Sequence, residues 1–267
     1  MQIQGIFDTH SHLNDKQFRD DITGTLRRAA LEGINWVICP GYDMPSSRMA
    51  AQIAEKHTNV WATVGIHPHD AKTLTNEFLA ELAQLASSPK VVAIGEIGLD
   101  FFRDLSPRPV QEDAFRQQLR LAKELDLPVV IHDRDAGADI MRILEDEGAP
   151  TAGGVFHCFS EDVDYALRTV ELGFYIGIAG PVTFGKNQVL KDVVRAVPED
   201  RLLVETDAPY LTPEPFRGRR KNEPALVRIV AEKVAELRGT DLESIAQITT
   251  ANTLRLFKRI TGIVKPK

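Results

Sequence analysis

Eight short apolar, β-rich runs recur along the chain, at residues 3–8, 34–39, 60–66, 91–97, 128–133, 153–158, 173–178 and 201–206. Between most of them lies a segment with helical periodicity. Residues 20–32 put Ile22, Leu26, Ala29 and Ala30 on one face, and 110–126 repeat Val110, Phe115, Leu119, Ala122 and Leu125 among charges. Residues 135–147 place Ile140, Ile143 and Leu144 in the same way, and the short unit from 153 to 173 leaves room for a connecting helix at 161–172. Strand and helix alternating in this fashion imply a parallel sheet, and eight repeats imply closure into a TIM-type (β/α)8 barrel. After the eighth run come a Pro/Arg-rich loop (208–224) and three helical patterns at 224–238, 241–247 and 249–261. The 267 residues exceed a common domain length, yet α/β barrels routinely occupy about 200–250 residues as one unit. No linker or low-complexity tract interrupts them, so a single domain over 1–267 is expected.

Composition narrows the function classes. A net charge of -6 argues against a protein that coats nucleic acid with a general basic surface, though not against one that grips a phosphate chain locally. Two cysteines, Cys39 and Cys158, are too few for a disulfide framework and read as buried, reduced thiols. Cys158 is expected to point away from its neighbour His157, because strand side chains alternate. The first residues lack the charged and apolar regions of a signal peptide, and no apolar stretch approaches the ~18–20 residues of a membrane span. A cytoplasmic location with no membrane association is expected, and no obligate protein partner is implied.

The ends of the strands carry the chemistry. His10, His12, Glu96, His132, His157 and Asp207 each follow an apolar run, and a parallel barrel gathers the C-terminal ends of its strands around one mouth. Four imidazoles and two carboxylates there read as a site for two divalent cations. In His10-x-His12 alternate residues of a strand project together, and paired neutral nitrogens suit zinc or manganese. Magnesium and nickel remain open as well. Glu96, flanked by glycines, suits a bridging carboxylate. Asp207 can both ligate and take the proton of a bound water. Asp8, on the histidine pair's face, either orients an imidazole or caps a turn, and Glu205 lies one step deeper than Asp207 as a supporting carboxylate. His67, in Gly65-Ile66-His67-Pro68-His69, should reach the rim and meet substrate or leaving group rather than metal. Arg134 either holds a phosphate or pairs with Asp133 or Asp135. Asp100 reads as a loop residue. The one concentrated basic segment, Arg217, Arg219, Arg220 and Lys221, follows the eighth strand and should lie near the mouth, where it could track a phosphate backbone.

Taken together, Phe7-Asp8-Thr9-His10-Ser11-His12-Leu13, Gly65-Ile66-His67-Pro68, Gly95-Glu96-Ile97-Gly98-Leu99-Asp100, Ile131-His132-Asp133-Arg134, His157-Cys158-Phe159 and Glu205-Thr206-Asp207-Ala208-Pro209-Tyr210-Leu211 resemble the TatD family of metal-dependent deoxyribonucleases and related hydrolases. The loop from Arg217-Gly218 to Asn222-Glu223-Pro224 also looks like the family's, and the pieces span residues 6 to 224 in the family's order. The resemblance implies a metal pair held by His10, His12, Glu96, His132, His157 and Asp207, and hydrolysis of phosphodiester bonds, most often of DNA. Asp133 departs from the small polar residue often found there. Two other readings stay open. An amidohydrolase-like enzyme would act on an amide, lactone or phosphotriester, although in such relatives a modified lysine commonly bridges where this chain has Glu96. A metal-stabilised binding protein would show no turnover at all.

Overall fold

The described residues of this computed structural model are 5–261, so positions 3 and 4 of the first expected strand lie outside them. The eight strands are β1 (Ile6–Asp8), β2 (Ile34–Pro40), β3 (Val60–Val64), β4 (Val91–Asp100), β5 (Val129–Arg134), β6 (Gly154–Phe156), β7 (Phe174–Ile178) and β8 (Leu202–Val204). They form one parallel sheet in sequential order. The seam between β8 and β1 is closed just beyond the strand ends. The Thr9 N–H donates to the Val204 carbonyl at 3.2 Å, the Asp207 N–H to His10 at 2.9 Å and the His12 N–H to Ala208 at 2.8 Å. The segments that close the barrel are therefore the ones that carry its histidine pair and Asp207.

Helices α1 (Ile22–Leu31), α2 (Met44–Lys56), α3 (Asn76–Leu85), α4 (Arg108–Glu124), α5 (Gly137–Glu147), α6 (Val163–Glu171), α7 (Gln188–Ala196), α8 (Val227–Arg238) and α9 (Leu242–Leu256) accompany the strands. Local chemistry starts them. Asp43, for example, accepts the Ser46 N–H while the Ser46 hydroxyl accepts the Asp43 N–H, a reciprocal cap on α2. The two helical patterns expected at 241–247 and 249–261 are one continuous helix, α9. Thr249, Thr250 and Thr253 break its apolar stripe, but Thr249 and Thr253 turn their hydroxyls back onto the helix carbonyls at Ile245 and Thr249.

The core has two shells. Phe7, Ile38, Trp61, Val92, Val130, Val155, Tyr175 and Leu203, one or more from every strand, pack together inside the barrel with Leu256, Phe257 and Ile260 from the end of α9 and the residues after it. The larger shell lies between the strands and helices and includes Ile131, Phe156, Phe174 and Ile178. The interior is thus filled by side chains, which leaves the strands' C-terminal ends to form the open site. No helix among the described residues is long and apolar enough to cross a membrane.

Candidate metal centre

The strands deliver their reactive residues in different ways. His132 lies within β5, whereas His10 and His157 follow the last residues of β1 and β6, and Asp207 sits in a left-handed turn after β8 at φ 54°. Glu96 lies inside β4, where the register with β5 slips between Ile94 and Ile97. Such an irregularity re-aims side chains relative to the regular alternation. Gly98 makes the close passage of β4 and β5 possible: at φ 142°, a Cβ there would stand 2.0 Å from the His132 carbonyl oxygen.

Glu96 is the hub. Its Oε2 lies 3.4 Å from His10 Nε2 and 3.8 Å from His12 Nε2, while its Oε1 lies 2.8 Å from His157 Nε2, 2.9 Å from His132 Nδ1 and 3.3 Å from His67 Nε2. Asp207 Oδ1 stands 3.3 Å from His12 Nε2 and 3.9 Å from His10 Nε2. Nitrogens also face each other, His10 to His12 and His132 to His157, each pair at 3.3 Å. Three sets offer ligand atoms within 4.8 Å of one another: His10, His12 and Glu96; His10, His157 and Asp207; His67, Glu96 and His132. So many buried lone pairs converging on two carboxylates can be satisfied by protonating several imidazoles or by binding cations. Burying several imidazolium charges is expensive, and mixed nitrogen–oxygen donors suit divalent transition metals, so the residues fit metal ions.

Electrostatics separates the roles. Burial alone would raise Glu96, but His157, His67, His10 and His132 together hold it well below the ordinary carboxylate range. Asp207 is likewise lowered, against its own burial, by His12 and the neighbouring imidazoles. Burial lowers His10, with His157 adding to the effect. His67 is pushed down to about 4, first by burial and then by His132. Its tautomer is fixed as well. His67 caps the short turn Pro68–Thr73, its Nδ1 accepting the His69 N–H at 3.1 Å, so in the neutral ring the proton is on Nε2. His67 therefore turns a donor, not a lone pair, toward Glu96 and the mouth.

Several expectations change. Asp100 is not a loop residue: it ends β4, is buried, and sets its Oδ2 3.2 Å from His132 Nε2 and 2.8 Å from His69 Nε2. It orients the ring that offers Nδ1 to the centre. The signal was available in the two-residue period of a strand, which places 96, 98 and 100 together once the strand is extended. Asp8 reaches main chain rather than an imidazole, accepting the N–H groups of His10 (3.4 Å) and Thr206 (2.9 Å) and the Thr206 hydroxyl. It ties together the two segments that close the seam. Glu205 lies 3.6 Å from His157 Nδ1 and accepts the Cys158 N–H, fitting where Gly177 has no side chain. Cys158 does not point away from His157. Strand β6 ends at Phe156 and Cys158 turns to φ 45°, so the alternation stops and both residues line the mouth. Arg134 pairs with neither neighbouring aspartate but lays its guanidinium on the Phe102 ring, 4.2 Å from the centroid. Asp133 instead accepts the Tyr165 hydroxyl at 2.8 Å.

The mouth cavity measures about 750 Å³, and its wall includes His12, Tyr42, His69, Arg103, Arg134 and Tyr210. None of Arg217, Arg219, Arg220 and Lys221 lines it. All four are exposed, and the loop that holds them is anchored by Asn222, which donates to the Thr206 carbonyl at 2.9 Å. Arg217 stacks on Phe184 at 4.0 Å, and Arg220 pairs with Glu223 and borders a separate groove. The run is expected near the mouth; its four side chains are exposed and stand off the cavity wall.

The family model for TatD related DNase matches residues 7–258. The chain is 46% identical over 253 residues to a protein of Bacillus subtilis (strain 168) named as the uncharacterized metal-dependent hydrolase YabD, covering 95% of this chain and 99% of the relative. It is 40% identical over 256 residues to a Cronobacter sakazakii protein named 3'-5' ssDNA/RNA exonuclease TatD, covering 94% and 97% of the two chains. The crystal structure of YjjV, a TatD homologue from Escherichia coli K12, superposes with a TM-score of 0.90 at 34% identity, covering 97% of this chain and 99% of that one.

Proposed function

The chain belongs to the TatD family of metal-dependent hydrolases, and we propose that it cleaves phosphodiester bonds of nucleic acid, DNA foremost, from a strand end and with two divalent cations at the mouth. One observation carries the reading: each oxygen of the single carboxylate Glu96 faces a different pair of imidazoles able to ligate, His10 and His12 on one side and His132 and His157 on the other. A carboxylate shared between two sets of donors is the arrangement a metal pair requires. Action from a strand end is supported by the name of the Cronobacter sakazakii relative.

Divalent cations held by His10, His12, Glu96, His132, His157 and Asp207 would lower the pKa of a water toward ~7 and offset phosphate charge. The chain's own groups do the rest. Asp207, ionised at neutral pH, accepts the proton of the attacking water. His67, neutral and with its proton on Nε2, donates a hydrogen bond to a phosphoryl oxygen. Asp100 and Glu205 hold His132 and His157 in orientation, and Asp8 fixes the main chain that carries His10. Arg134 and Arg103 at the cavity wall, rather than the 217–221 loop, contact the phosphate chain.

The test is an assay of metal-reconstituted protein on end-labelled single- and double-stranded DNA, RNA and a small phosphodiester, with metal content measured in parallel. Stepwise loss of terminal nucleotides with about two cations per chain is expected. Turnover of a lactone, amide or phosphotriester with none of any diester would replace this reading with the amidohydrolase-like one. Full metal loading without any turnover would leave a binding protein.

A further inference from the structure

We propose that the rim of the mouth is a two-sided stacking surface for unpaired nucleobases, formed by Phe102 with Arg134 on one side and Tyr210 on the other. The inference rests on the nucleic-acid reading of the site and names the feature that selects single strands.

Among the described residues, large apolar side chains with high exposure are few, and the two aromatic ones are Phe102, 60% exposed, and Tyr210, 54% exposed. Tyr210 lines the cavity, and Phe102 lies just outside its wall under the lining residue Arg134. They follow β4 and β8, half a barrel apart, so a strand crossing the mouth meets one on each side of the centre. Neither ring is on a loose loop. Phe102 is bracketed by the Phe101 N–H donating to the Arg134 carbonyl at 2.9 Å and the Arg103 N–H donating to Asp100 Oδ1 at 2.7 Å. Tyr210 donates its N–H to the Asp207 carbonyl at 2.8 Å, its own carbonyl accepts from the Asn222 side chain, and its ring stands edge-on to His12 at 5.8 Å. Both loops are thus anchored to residues of the centre itself.

Exposed aromatics held rigidly lose little entropy when a flat apolar ligand covers them. Charge identifies that ligand. The Arg134 guanidinium lies on the Phe102 ring, and both Arg134 and Arg103 line the cavity, so the aromatic face adjoins cations directed at the site. Aromatic planes beside guanidinium groups along a groove suit a single-stranded nucleic acid, whose bases offer π-faces and whose phosphates offer charge. A duplex does not fit, because its base faces are already covered by stacking neighbours. With the scissile phosphate over Glu96, the flanking bases splay outward onto Phe102 and Tyr210.

The experiment uses the full chain carrying Asp207→Asn at saturating metal, so that oligonucleotides bind and are cut only slowly on the time of the measurement. A short single strand with 2-aminopurine at either position flanking the terminal phosphodiester should lose fluorescence on binding, and Phe102→Ala or Tyr210→Ala should each restore one of the two signals. Phe102→Trp should keep the quenching, which separates stacking from a folding defect. An abasic residue at the matching position should weaken binding about tenfold in the parent, the order of one base–aromatic contact, and leave the alanine variant nearly unaffected. DNA and RNA strands should behave alike. Additive losses from the abasic residue and the alanine, or duplex bound as tightly as single strand, would overturn the proposal. Absence of phosphodiester turnover in the parent enzyme would instead overturn the functional reading, since the binding measurement does not depend on cleavage.

Discussion

At the residue scale, Asp207 and His67 separate chemistry from ligation. Asp207→Asn keeps the side chain's size, but the amide cannot accept a proton and is a poorer ligand. We expect turnover to fall about 10²–10⁴-fold, with circular dichroism unchanged. Glu205→Gln should cost less, because Glu205 acts through His157. Near-normal turnover in Asp207→Asn would leave that carboxylate only a structural role. His67 tests the reading of tautomers. By distance alone it joins Glu96 and His132 as a ligand set, yet its Nδ1 already accepts the His69 N–H and its Nε2 carries the proton. His67→Ala should therefore retain the full metal content of the parent while kcat drops, and His67→Gln, which keeps an N–H donor, should recover part of it. Loss of one equivalent of metal, measured by elemental analysis, would make His67 a ligand.

At the scale of elements, the helices are held to one another by interactions that the site does not share. The end of α5 is clamped to α4 by Glu147, whose carboxylate accepts from Arg120 at 2.7 and 2.9 Å and from Arg116 at 3.1 Å. Arg120, and then Arg116, pull the Glu147 pKa down to about 2. Because the folded value lies below the unfolded one near ~4.3, this contribution is complete above about pH 5 and fades as the pH falls through about 2. Glu147→Gln should cost about 1 kcal/mol near neutrality, a modest figure because the arginine partners are solvated and salt screens them. Urea denaturation should show the gap between parent and variant narrowing from pH 6 to pH 3. A gap equal at both values would mean the charge contributes nothing. The same scale explains which elements are legible without coordinates. Helix α5 shows Ile140, Ile143 and Leu144 on one face and is buried there, as its period requires. The strand ends are less legible: β4 runs on to Asp100 because Gly98 lets it stay beside β5, a permission granted by a neighbouring strand and not by local propensity.

For the whole molecule, the barrel should stand without metal and be strengthened by it. Its interior is closed by Phe257, Leu256 and Ile260 at the end away from the mouth, and none of these touches the centre. Each cation that binds the folded chain at about 100 times its Kd would add about 2.7 kcal/mol, so the proposed pair would add about 5.4 kcal/mol, or roughly 10–20 °C in a chain of this size. Chelation should lower Tm by that amount with far-ultraviolet dichroism retained. A chain that unfolds on chelation would make the centre a folding nucleus instead of a site laid on a finished barrel. The sequence by itself determines the alternation of strand and helix, hence the parallel barrel, and the histidines and acids that end its strands, because periodicity and residue chemistry are local properties. Which of those residues meet, and through which atoms, is decided only in three dimensions. Asp100 becomes the partner of His132 through the pairing of β4 with β5, and Cys158 joins His157 at the mouth because its strand has already ended. The side chains of the basic run at 217–221 are exposed and off the cavity wall, in a loop anchored through Asn222 to Thr206. Each of these depends on contacts between segments distant in the chain, whose geometry no local pattern encodes.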